Sequence, residues 1–374
     1  MYDKTPHHES YSQWSGHANL LSPSLFLFQS GYSLSTLSNK VKSWLHTRME
    51  MKEVRGKKVF VGLSGGVDSA VSAALLQRAG ARVTGVFIKG WYPPGMPCTW
   101  ATERRDAMRV AARLRIPFLT FDASAEYKKS VVEYLLEEYR SGRTPNPDVM
   151  CNKEVKFGAC YRFAMDAGAD AIAMGHYRAG EKDQSYFLWA VPKDIVDATL
   201  FPVGNMKKED VRKLAKKFNL PVAEKKDSQG VCFLGAVSIK EFLLRELGSA
   251  NPALLYTIGQ RIGKEGSNDV WYVIGKDVEK KEIRTARTRS APMHEISFTD
   301  ANWFAASARV TEAQYRYRGP HIQGRVEGDC FIPAQSLPDI PAPGQSIVFY
   351  SPRVSASGEA SHSGELAGGG IIVA

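Results

Sequence analysis

The chain of 374 residues predicts two or three domains at about 150 residues each. Hydrophobic residues make up 44% of it and charged residues 24%, proportions that exclude wholesale disorder and a collagen-like chain. Lysine and arginine outnumber aspartate and glutamate by 49 to 39, a formal net charge of +10. We therefore expect a polyanionic partner such as nucleic acid or nucleotide phosphates.

The number and spacing of the cysteines indicate the redox compartment of the protein and the metal sites it can form. The five cysteines form an odd number with no paired framework, which favours a reducing compartment. The sequence has no CxxC pair, no HExxH and no His–Cys cluster, so we expect neither a structural zinc nor a catalytic metal held by protein groups alone. A cytoplasmic location is the prediction that follows.

Residues 1–50 are rich in Ser, His, Tyr and Gln. We interpret them as a disordered extension, or as translation assigned upstream of a true start at Met49 or Met51. Their apolar run, Leu20–Phe28, is shorter than the roughly 20 residues that span a bilayer, so no membrane association is expected. The serine content and a few basic residues leave a mitochondrial transit peptide as the alternative.

From Lys57 the chain alternates between strands and helices. Continuous apolar runs are typical of buried parallel strands, and apolar residues at helical spacing follow each run. The alternation predicts an α/β fold with a doubly wound parallel sheet, whose ligands bind beyond the carboxyl ends of the strands. Strands are predicted at residues 57–63, 82–88, 117–123 and 170–175, and helices at 70–80, 102–116, 130–142 and 153–168.

The second half of the chain changes character. Two basic helical segments, 207–218 and 238–247, are followed by short strand-like segments separated by Gly, Pro, Asp and Asn, which is typical of an antiparallel β-barrel. We therefore expect an extension at 1–50, a catalytic domain at 51–205, a small and mostly helical central domain at 206–262, and a C-terminal barrel at 263–374.

The strongest functional signal is SGGVDS, Ser64–Ser69, between the first strand and its helix. Two adjacent glycines let backbone N–H groups approach a phosphate, the helix start adds its dipole, and two serines add hydroxyl donors. The spacing is neither GxxxxGK followed by Ser or Thr nor GxGxxG, which disfavours a Walker ATPase and a dinucleotide-binding fold. The loop predicts a pyrophosphate cradle.

This hexapeptide, placed between a strand and a helix, resembles the loop of the PP-loop ATP pyrophosphatases, whose sheet is of the adenine nucleotide alpha hydrolase type. Two cysteine segments, 143–157 and 225–235, resemble the paired cysteine motifs of the tRNA-specific 2-thiouridylases within that superfamily. Further matches include YTIGQRIG at 256–263 and PGQSIVFY at 343–350. The resemblance extends over residues 57–374.

The resemblance implies ATP-dependent 2-thiolation of the wobble uridine, position 34, of tRNA. The uracil C2 oxygen would be adenylated and then displaced by sulfur from a cysteine persulfide, with release of AMP and pyrophosphate. It implies ATP with phosphate-bound Mg²⁺ as the cofactor and no metal held by the protein. The implied partners are tRNA and a sulfur-relay protein or cysteine desulfurase, and a monomer is the simplest expectation.

By the same resemblance, Cys232 corresponds to the persulfide carrier and Cys151 to its nucleophilic partner. The Cys151 thiolate would either release sulfide from the persulfide or resolve the intermediate, and would leave a transient Cys151–Cys232 disulfide. Cys151 begins a predicted helix whose N-terminus would favour a thiolate, and Lys153, Lys225 and Lys226 are further candidates for this role.

The resemblance also assigns binding roles residue by residue. Asp148 is a candidate proton acceptor or base-positioning group as well as a contact of the target base. The residues implied for ATP are Gly62, Leu63, Ser64, Gly65, Gly66, Val67, Asp68, Ser69, Ile88 and Gly175. Those implied for the target base are Asn146, Pro147 and Asp148, and those implied for tRNA are His176, Lys182, Asp183, Gln184, Arg316, Tyr317 and Gln345.

Two regions are shorter than the family pattern, residues 177–182 and 248–256, which bears on RNA contacts and on docking of a sulfur donor.

Two other functions stay open. A PP-loop ligase or amidase acting on a small metabolite would need neither Cys151 nor Cys232, whereas a degenerate tRNA-binding protein would not need an intact SGGVDS. Of the other cysteines, Cys160 and Cys330 are predicted to lie in the core, and Cys98 has no assigned role.

Overall fold

The computed structural model describes residues 53–95, 99–227, 237–264, 267–289, 295–354 and 360–373, which all belong to one compact unit of the chain. The predictions for residues 1–50, Cys98 and Cys232 lie outside the described residues. No helix in the described ranges combines the length and the apolar character needed to cross a membrane.

A five-stranded parallel sheet, in the order β3-β2-β1-β4-β5, forms the N-terminal half. The strand order reverses direction between β1 and β4, and in sheets of this kind ligands bind at the reversal point, beyond the carboxyl ends of the strands. The predicted α/β fold is confirmed. The strands are β1 (Lys58–Gly62), β2 (Arg82–Lys89), β3 (Phe118–Asp122), β4 (Ala171–Ala173) and β5 (Thr199–Leu200).

Helices cover both faces of this sheet because alternate residues of its strands point to opposite sides. On β1, Val59 and Val61 pack in one core cluster with the first two helices, whereas Phe60 packs in another with Phe157. The helices of this half are α1 (Val67–Arg78), α2 (Trp100–Leu114), α3 (Ser124–Tyr127, Lys128–Glu133 and Tyr134–Arg140), α4 (Pro147–Met150, Cys151–Ala159 and Cys160–Asp166) and α5 (Lys193–Ala198).

Two of these helices contain a wider π-helical segment, over Lys128–Glu133 in α3 and over Cys151–Ala159 in α4. The prediction that a helix begins at residue 151–153 is wrong. The helix begins at Pro147, with Asn146 as its N-cap, because proline at the first helical position has the required φ and lacks an N–H that would otherwise need a partner.

The connection to the C-terminal half is helical, as predicted. It contains α6 (Lys208–Lys217), α7 (Ile239–Leu247) and α8 (Pro252–Leu255). A capping box between Ser238 and Glu241 starts α7, and Gly248 ends it in the left-handed conformation, so local sequence signals define both ends.

The described residues of the C-terminal half form two separate β structures. A three-stranded antiparallel sheet comes first, in the order β6-β7-β8, and a closed six-stranded barrel follows in the order β10-β11-β12-β9-β14-β13. The strands are β6 (Arg261–Lys264), β7 (Ser267–Asp277), β8 (Glu282–Ala286), β9 (Ile296–Trp303), β10 (Glu312–Gln314), β11 (Ile322–Glu327), β12 (Cys330–Pro333), β13 (Ser346–Val354) and β14 (Ala360–Ile372). The predicted C-terminal barrel is confirmed, and it closes within residues 296–372.

Candidate active site

The loop between β1 and α1 has the geometry of a phosphate cradle. Gly65 adopts φ +75°, a left-handed turn in which a side chain would be strained. Gly66 is the N-cap of α1, so the first backbone N–H groups of the helix face the loop together with the helix dipole. The hydroxyl oxygens of Ser64 and Ser69 lie 3.3 Å apart beside them. This set of donors suits a pyrophosphate group.

Two strand ends flank this loop. Ile88 lies near the end of β2 and Gly175 lies two residues beyond β4, and these strands are the two neighbours of β1. A Cβ on Gly175 would lie 2.9 Å from the backbone nitrogen of Ser69, closer than real Cβ contacts allow. The chain after β4 therefore touches the phosphate loop. The structure brings together at this edge the residues implied for ATP, which are Gly62, Leu63, Ser64, Gly65, Gly66, Val67, Asp68, Ser69, Ile88 and Gly175.

Asp68, in the first turn of α1, belongs to a charged network that sequence reasoning missed. Its carboxylate accepts hydrogen bonds from Lys208 Nζ at 2.7 Å to each oxygen and from the Tyr177 hydroxyl at 2.6 Å. Lys208 also lies 2.9 Å from Asp227, and its side chain is 9% exposed. A buried cation thus connects the phosphate loop to the residue that precedes segment 228–236.

The carboxylate of Asp227 forms ion pairs with three basic side chains. Besides Lys208, Lys182 lies 2.7 Å and Arg212 2.8 Å from its carboxylate. Burial raises the pKa of Asp227, but the hydrogen bonds from Lys182 and Lys208 outweigh it and hold this pKa at about 2. Across the described residues no group of three His, Cys, Asp or Glu side chains has metal-site geometry.

The N-terminal turns of α4 carry Asn146, Asp148 and Cys151. Cys151 lies one turn inside the helix, at the start of its π-helical segment, and is 4% exposed. It packs in a core cluster with Tyr127 and Val155, so its surroundings exclude water. Asp148 is half-buried, and desolvation raises the pKa of its carboxyl group, while the positive charge of Lys156 opposes the shift.

A chain of contacts joins this helix to the phosphate loop. Gly175 touches Ser69, and the next residue, His176, packs against Phe157 of α4 with ring centroids 5.6 Å apart. Nδ1 of His176 is buried and has no hydrogen-bond partner among the described residues. Burial, together with the charge of Lys156, lowers the pKa of His176 to about 3, so the ring is neutral at pH 7. An RNA contact through a charged imidazole is therefore not supported.

Two of the three lysines predicted to activate Cys151 pair with carboxylates. Lys153 Nζ lies 3.4 Å from Glu154, and Lys225 Nζ lies 2.8 Å from Asp106 on α2. Their charges are already paired with carboxylates. The prediction that they stabilise a Cys151 thiolate has no support in these contacts.

The triplet Lys182, Asp183 and Gln184, predicted to contact tRNA, makes contacts within the protein. Lys182 binds Asp227, as described. Asp183 accepts a hydrogen bond from the backbone N–H of Ser185 at 2.7 Å, and Gln184 accepts one from that of Tyr177 at 3.1 Å. These contacts shape the loop beside the phosphate site.

The three candidates from the C-terminal half are also held internally. Arg316 donates to the carbonyl oxygens of Ile258 and Ile340 and lies 3.5 Å from Asp339. The ring of Tyr317 packs on Phe187, with centroids 4.4 Å apart. Gln345 Nε2 donates to the carbonyl oxygens of Thr144 and Pro145, directly before residues 146–148.

The other described cysteines differ in burial. Cys160 is 3% exposed, and burial raises the pKa of its thiol to about 12, which confirms the prediction of a core residue. Cys330 is half-buried, and its Sγ lies 3.5 Å from Ser297. It lies on β12 near the barrel surface, so the prediction that it is a core residue is wrong.

Comparison with known proteins identifies relatives along most of the chain. The family described as the tRNA methyl transferase HUP domain matches residues 57–236. The tRNA-specific 2-thiouridylase MnmA of Enterobacter sp. (strain 638) is 40% identical over 357 residues, covering 81% of this chain and 95% of that protein. Its counterpart in Citrobacter koseri is 40% identical over 353 residues and is covered to 96%.

Among solved structures, the U34-tRNA thiolase NcsA of Methanococcus maripaludis aligns with a TM-score of 0.35 and 17% identity, over 57% of this chain and 75% of that one. The curated relatives, by contrast, align over nearly their whole length at 40% identity. The chain therefore belongs to the tRNA-specific 2-thiouridylase family.

Proposed function

We propose that this protein catalyses the ATP-dependent replacement of the C2 oxygen by sulfur in the wobble uridine, position 34, of tRNA. The observation that carries the proposal is the contact chain from Ser69 through Gly175 and His176 to Phe157. It joins a phosphate cradle to the helix that bears Asp148 and Cys151. Activation by ATP and attack by sulfur need these two sites side by side.

The phosphate loop has the donors to hold the triphosphate of ATP. Backbone N–H groups at Gly65 and Gly66 and the hydroxyls of Ser64 and Ser69 would bind phosphate oxygens, and the strand ends at Ile88 and Gly175 would border the adenine. ATP supplies the adenylyl group that turns the C2 oxygen into a leaving group, with release of pyrophosphate. Mg²⁺ would be bound largely through the phosphates.

Asp148 is suited to handle a proton at the target base. Burial raises the pKa of its carboxyl group, which brings its protonation closer to neutral pH, where a general acid or base works best. With Asn146 and Pro147 it would also orient the uracil ring. Both roles depend on residues 146–148 keeping a fixed position.

Sulfur transfer would use both cysteines. The terminal sulfur of a Cys232 persulfide attacks C2 and forms a C–S bond, while AMP leaves with the former C2 oxygen. The Cys151 thiolate then attacks the Cys232 sulfur, which breaks the S–S bond and leaves the transferred sulfur on C2. The resulting Cys151–Cys232 disulfide is reduced by an external thiol. In the alternative, Cys151 releases sulfide from the persulfide, and sulfide attacks C2.

The partners follow from this chemistry. The persulfide would be supplied by a cysteine desulfurase or a sulfur-relay protein, and tRNA would bind through basic and aromatic side chains near Lys182 and Tyr317. We place the reaction in a reducing compartment, the cytoplasm, with a monomer as the acting species. A ligase acting on a small metabolite remains the second candidate, and it requires neither cysteine.

The test uses purified full-length protein with unmodified tRNA, ATP and a protein persulfide donor, and detects 2-thiouridine by mass spectrometry of nucleosides. Cys151→Ser and Cys232→Ser should each lower product formation by at least about 100-fold while tRNA still binds. Cys330→Ser, on the barrel, is the matched control and should stay active. Full thiolation by either of the first two variants, with small sulfur donors excluded, would reject the two-cysteine mechanism.

A further inference from the structure

Two ion pairs hold the start of the second cysteine segment, and both reach the phosphate loop. On one side, Lys225 Nζ lies 2.8 Å from the carboxylate of Asp106 on α2. Asp106 in turn lies against the loop, because a Cβ on Gly65 would be 3.2 Å from the Cβ of Asp106 and 2.4 Å from the carbonyl oxygen of Glu103. The start of the segment is therefore one ion pair away from the first glycine of the loop.

On the other side, Asp227 is joined to the loop through Lys208. Its carboxylate lies 2.9 Å from Lys208 Nζ, and the same ammonium group donates to both carboxylate oxygens of Asp68 at 2.7 Å. Asp68 lies in the first turn of α1, at the other end of the loop. Since Lys225 and Asp227 are only two residues apart, one short stretch of chain is tied to both ends of the phosphate loop.

The position of Lys208 is unfavourable by itself, and the two carboxylates offset this. Lys208 is the first residue of α6, where the helix dipole disfavours a positive charge, and its side chain is 9% exposed. A buried ammonium group in this place needs negative partners. Asp68 and Asp227 supply them from two different segments, so Lys208 keeps its position only while both segments keep theirs.

Arg212 fixes the backbone of the same stretch. One turn further along α6, its guanidinium group donates to the carbonyl oxygens of Ala223 and Lys225 at 3.4 and 3.1 Å and to the Asp227 carboxylate at 2.8 Å. Val222, just before these residues, packs in the same core cluster as α1. This stretch is thus held between α6, α1 and α2.

The loop would receive negatively charged phosphate groups. The carboxylate of Asp68 opposes them unless a cation neutralises it, and Lys208 is the cation in place. A change at residues 225–227 that withdraws Lys208 therefore weakens phosphate binding, and phosphate binding in turn favours the attached arrangement. The two effects are equal in size, because coupling between two sites is reciprocal.

We propose that Lys208 and Lys225 are positioning residues that hold the start of the second cysteine segment on the phosphate loop, and that ATP binding and this attachment strengthen each other. The inference rests on the proposed function for ATP as the ligand and for the role of Cys232, which follows in the same segment. The consequence is that the chain leading to Cys232 is held best when the nucleotide that activates the base is bound.

The test uses the full chain and α,β-methylene ATP, an analogue that cannot be cleaved between its α- and β-phosphates. Its Kd is measured by calorimetry with Mg²⁺, and amide hydrogen exchange over residues 219–227 is measured with and without saturating analogue. In the unmodified protein the analogue should slow this exchange about fivefold or more. Lys225→Met should raise the Kd by the same factor and should lose the effect of the analogue on exchange.

Lys208→Met should give the same two changes. Lys213→Met, on the same helix but paired with Asp210 at an exposed position, is the control and should match the unmodified protein in both measurements. If Lys208→Met does not fold, Lys225→Met decides by itself, because Lys225 is 32% exposed and its replacement disturbs the core less.

An unchanged Kd and an unchanged effect of the analogue in Lys225→Met would overturn the proposal. A higher Kd in Lys208→Met with a normal effect on exchange would overturn it as well and make Lys208 a direct phosphate ligand. Neither measurement needs turnover. Slower exchange with the analogue in a protein that forms no 2-thiouridine would therefore reject the proposed function and leave the attachment standing, whereas 2-thiouridine formation without any effect of the analogue on exchange would do the reverse.

Discussion

Lys208 Nζ lies 2.7 Å from both carboxylate oxygens of Asp68, and this pair connects α6 to the phosphate loop. Lys208 also contacts Asp227 at 2.9 Å. One buried cation therefore separates two carboxylates, which would repel each other without it. The arrangement links the loop that would hold ATP to Asp227, which lies within the second cysteine segment, residues 225–235.

Replacing Lys208 with methionine should destabilise the protein. The variant leaves Asp68 and Asp227 without their shared counter-charge, and because both carboxylates are about a third exposed, we expect a loss of about 1–3 kcal/mol in the free energy of unfolding, less than for a fully buried pair. Lys213→Met on the same helix, where the side chain is 75% exposed, should change it by less than about 0.5 kcal/mol. Urea unfolding measures both, and equal effects would contradict the role of Lys208.

Replacing Gly175 with alanine should weaken ATP binding. The added methyl group would lie 2.9 Å from the nitrogen of Ser69. It would therefore displace the phosphate loop, which carries the donors for the phosphate groups. We expect the Kd for ATP, measured by calorimetry, to rise about tenfold, which corresponds to about 1.4 kcal/mol. Gly263→Ala is the control, because a Cβ there meets nothing within 4 Å. Unchanged affinity in Gly175→Ala would show that the loop tolerates the displacement.

The stability of the protein should depend on His176 between pH 7 and pH 5. Its pKa falls from 6.5 to about 3 in the folded state, so the unfolded chain binds a proton that the folded protein excludes. The stability that results from this difference in proton binding is present above pH 6.5 and is lost as the pH falls towards 3. We expect a decrease of about 2 kcal/mol in the free energy of unfolding between pH 7 and pH 5.

The variant His176→Phe, which has no titrating group, tests this contribution by urea unfolding at several pH values. Between pH 7 and pH 5 the free energy of unfolding of the variant should decrease by about 2 kcal/mol less than that of the wild-type protein. Between pH 7 and pH 8 it should change by the same amount in both proteins. An undiminished decrease in the variant would mean that another group is responsible.

Asn302 on β9 should anchor the barrel to the catalytic half. Its Nδ2 donates to the carbonyl oxygens of Trp189 at 2.6 Å and Val191 at 2.9 Å, which lie just after the loop of residues 182–188. Asn302→Ala leaves these acceptors unpaired and should cost about 1–3 kcal/mol. Gln323→Ala, which removes an exposed surface hydrogen bond on the same barrel, should cost much less. Thermal unfolding of both variants measures these losses of stability. Equal losses would contradict the anchoring role of Asn302.

Elements with a local signal were predicted from the sequence with small errors. The strand predicted at 57–63 is β1 at Lys58–Gly62, and the helix predicted at 238–247 is α7 at Ile239–Leu247, because apolar runs and capping residues act over a few positions. β5 has two residues, too few to show a pattern. Helix α4 starts at Pro147, before the predicted start at residues 151–153, because Asn146 as N-cap and Pro147 at the first helical position begin the helix there.

The phosphate loop was recognisable from the sequence because all of its donors lie within Ser64–Ser69 and require a fixed order of glycines and hydroxyls. The partners of Asp68 and Gln345 were not, since Lys208 is 140 residues from Asp68 and Thr144 is 201 residues from Gln345. A polar residue on its own fits a ligand contact as well as an internal hydrogen bond. The sequence determined the chemistry that this protein can carry, whereas the packing of distant segments decided which polar side chains are free for a ligand and which hold the site in place.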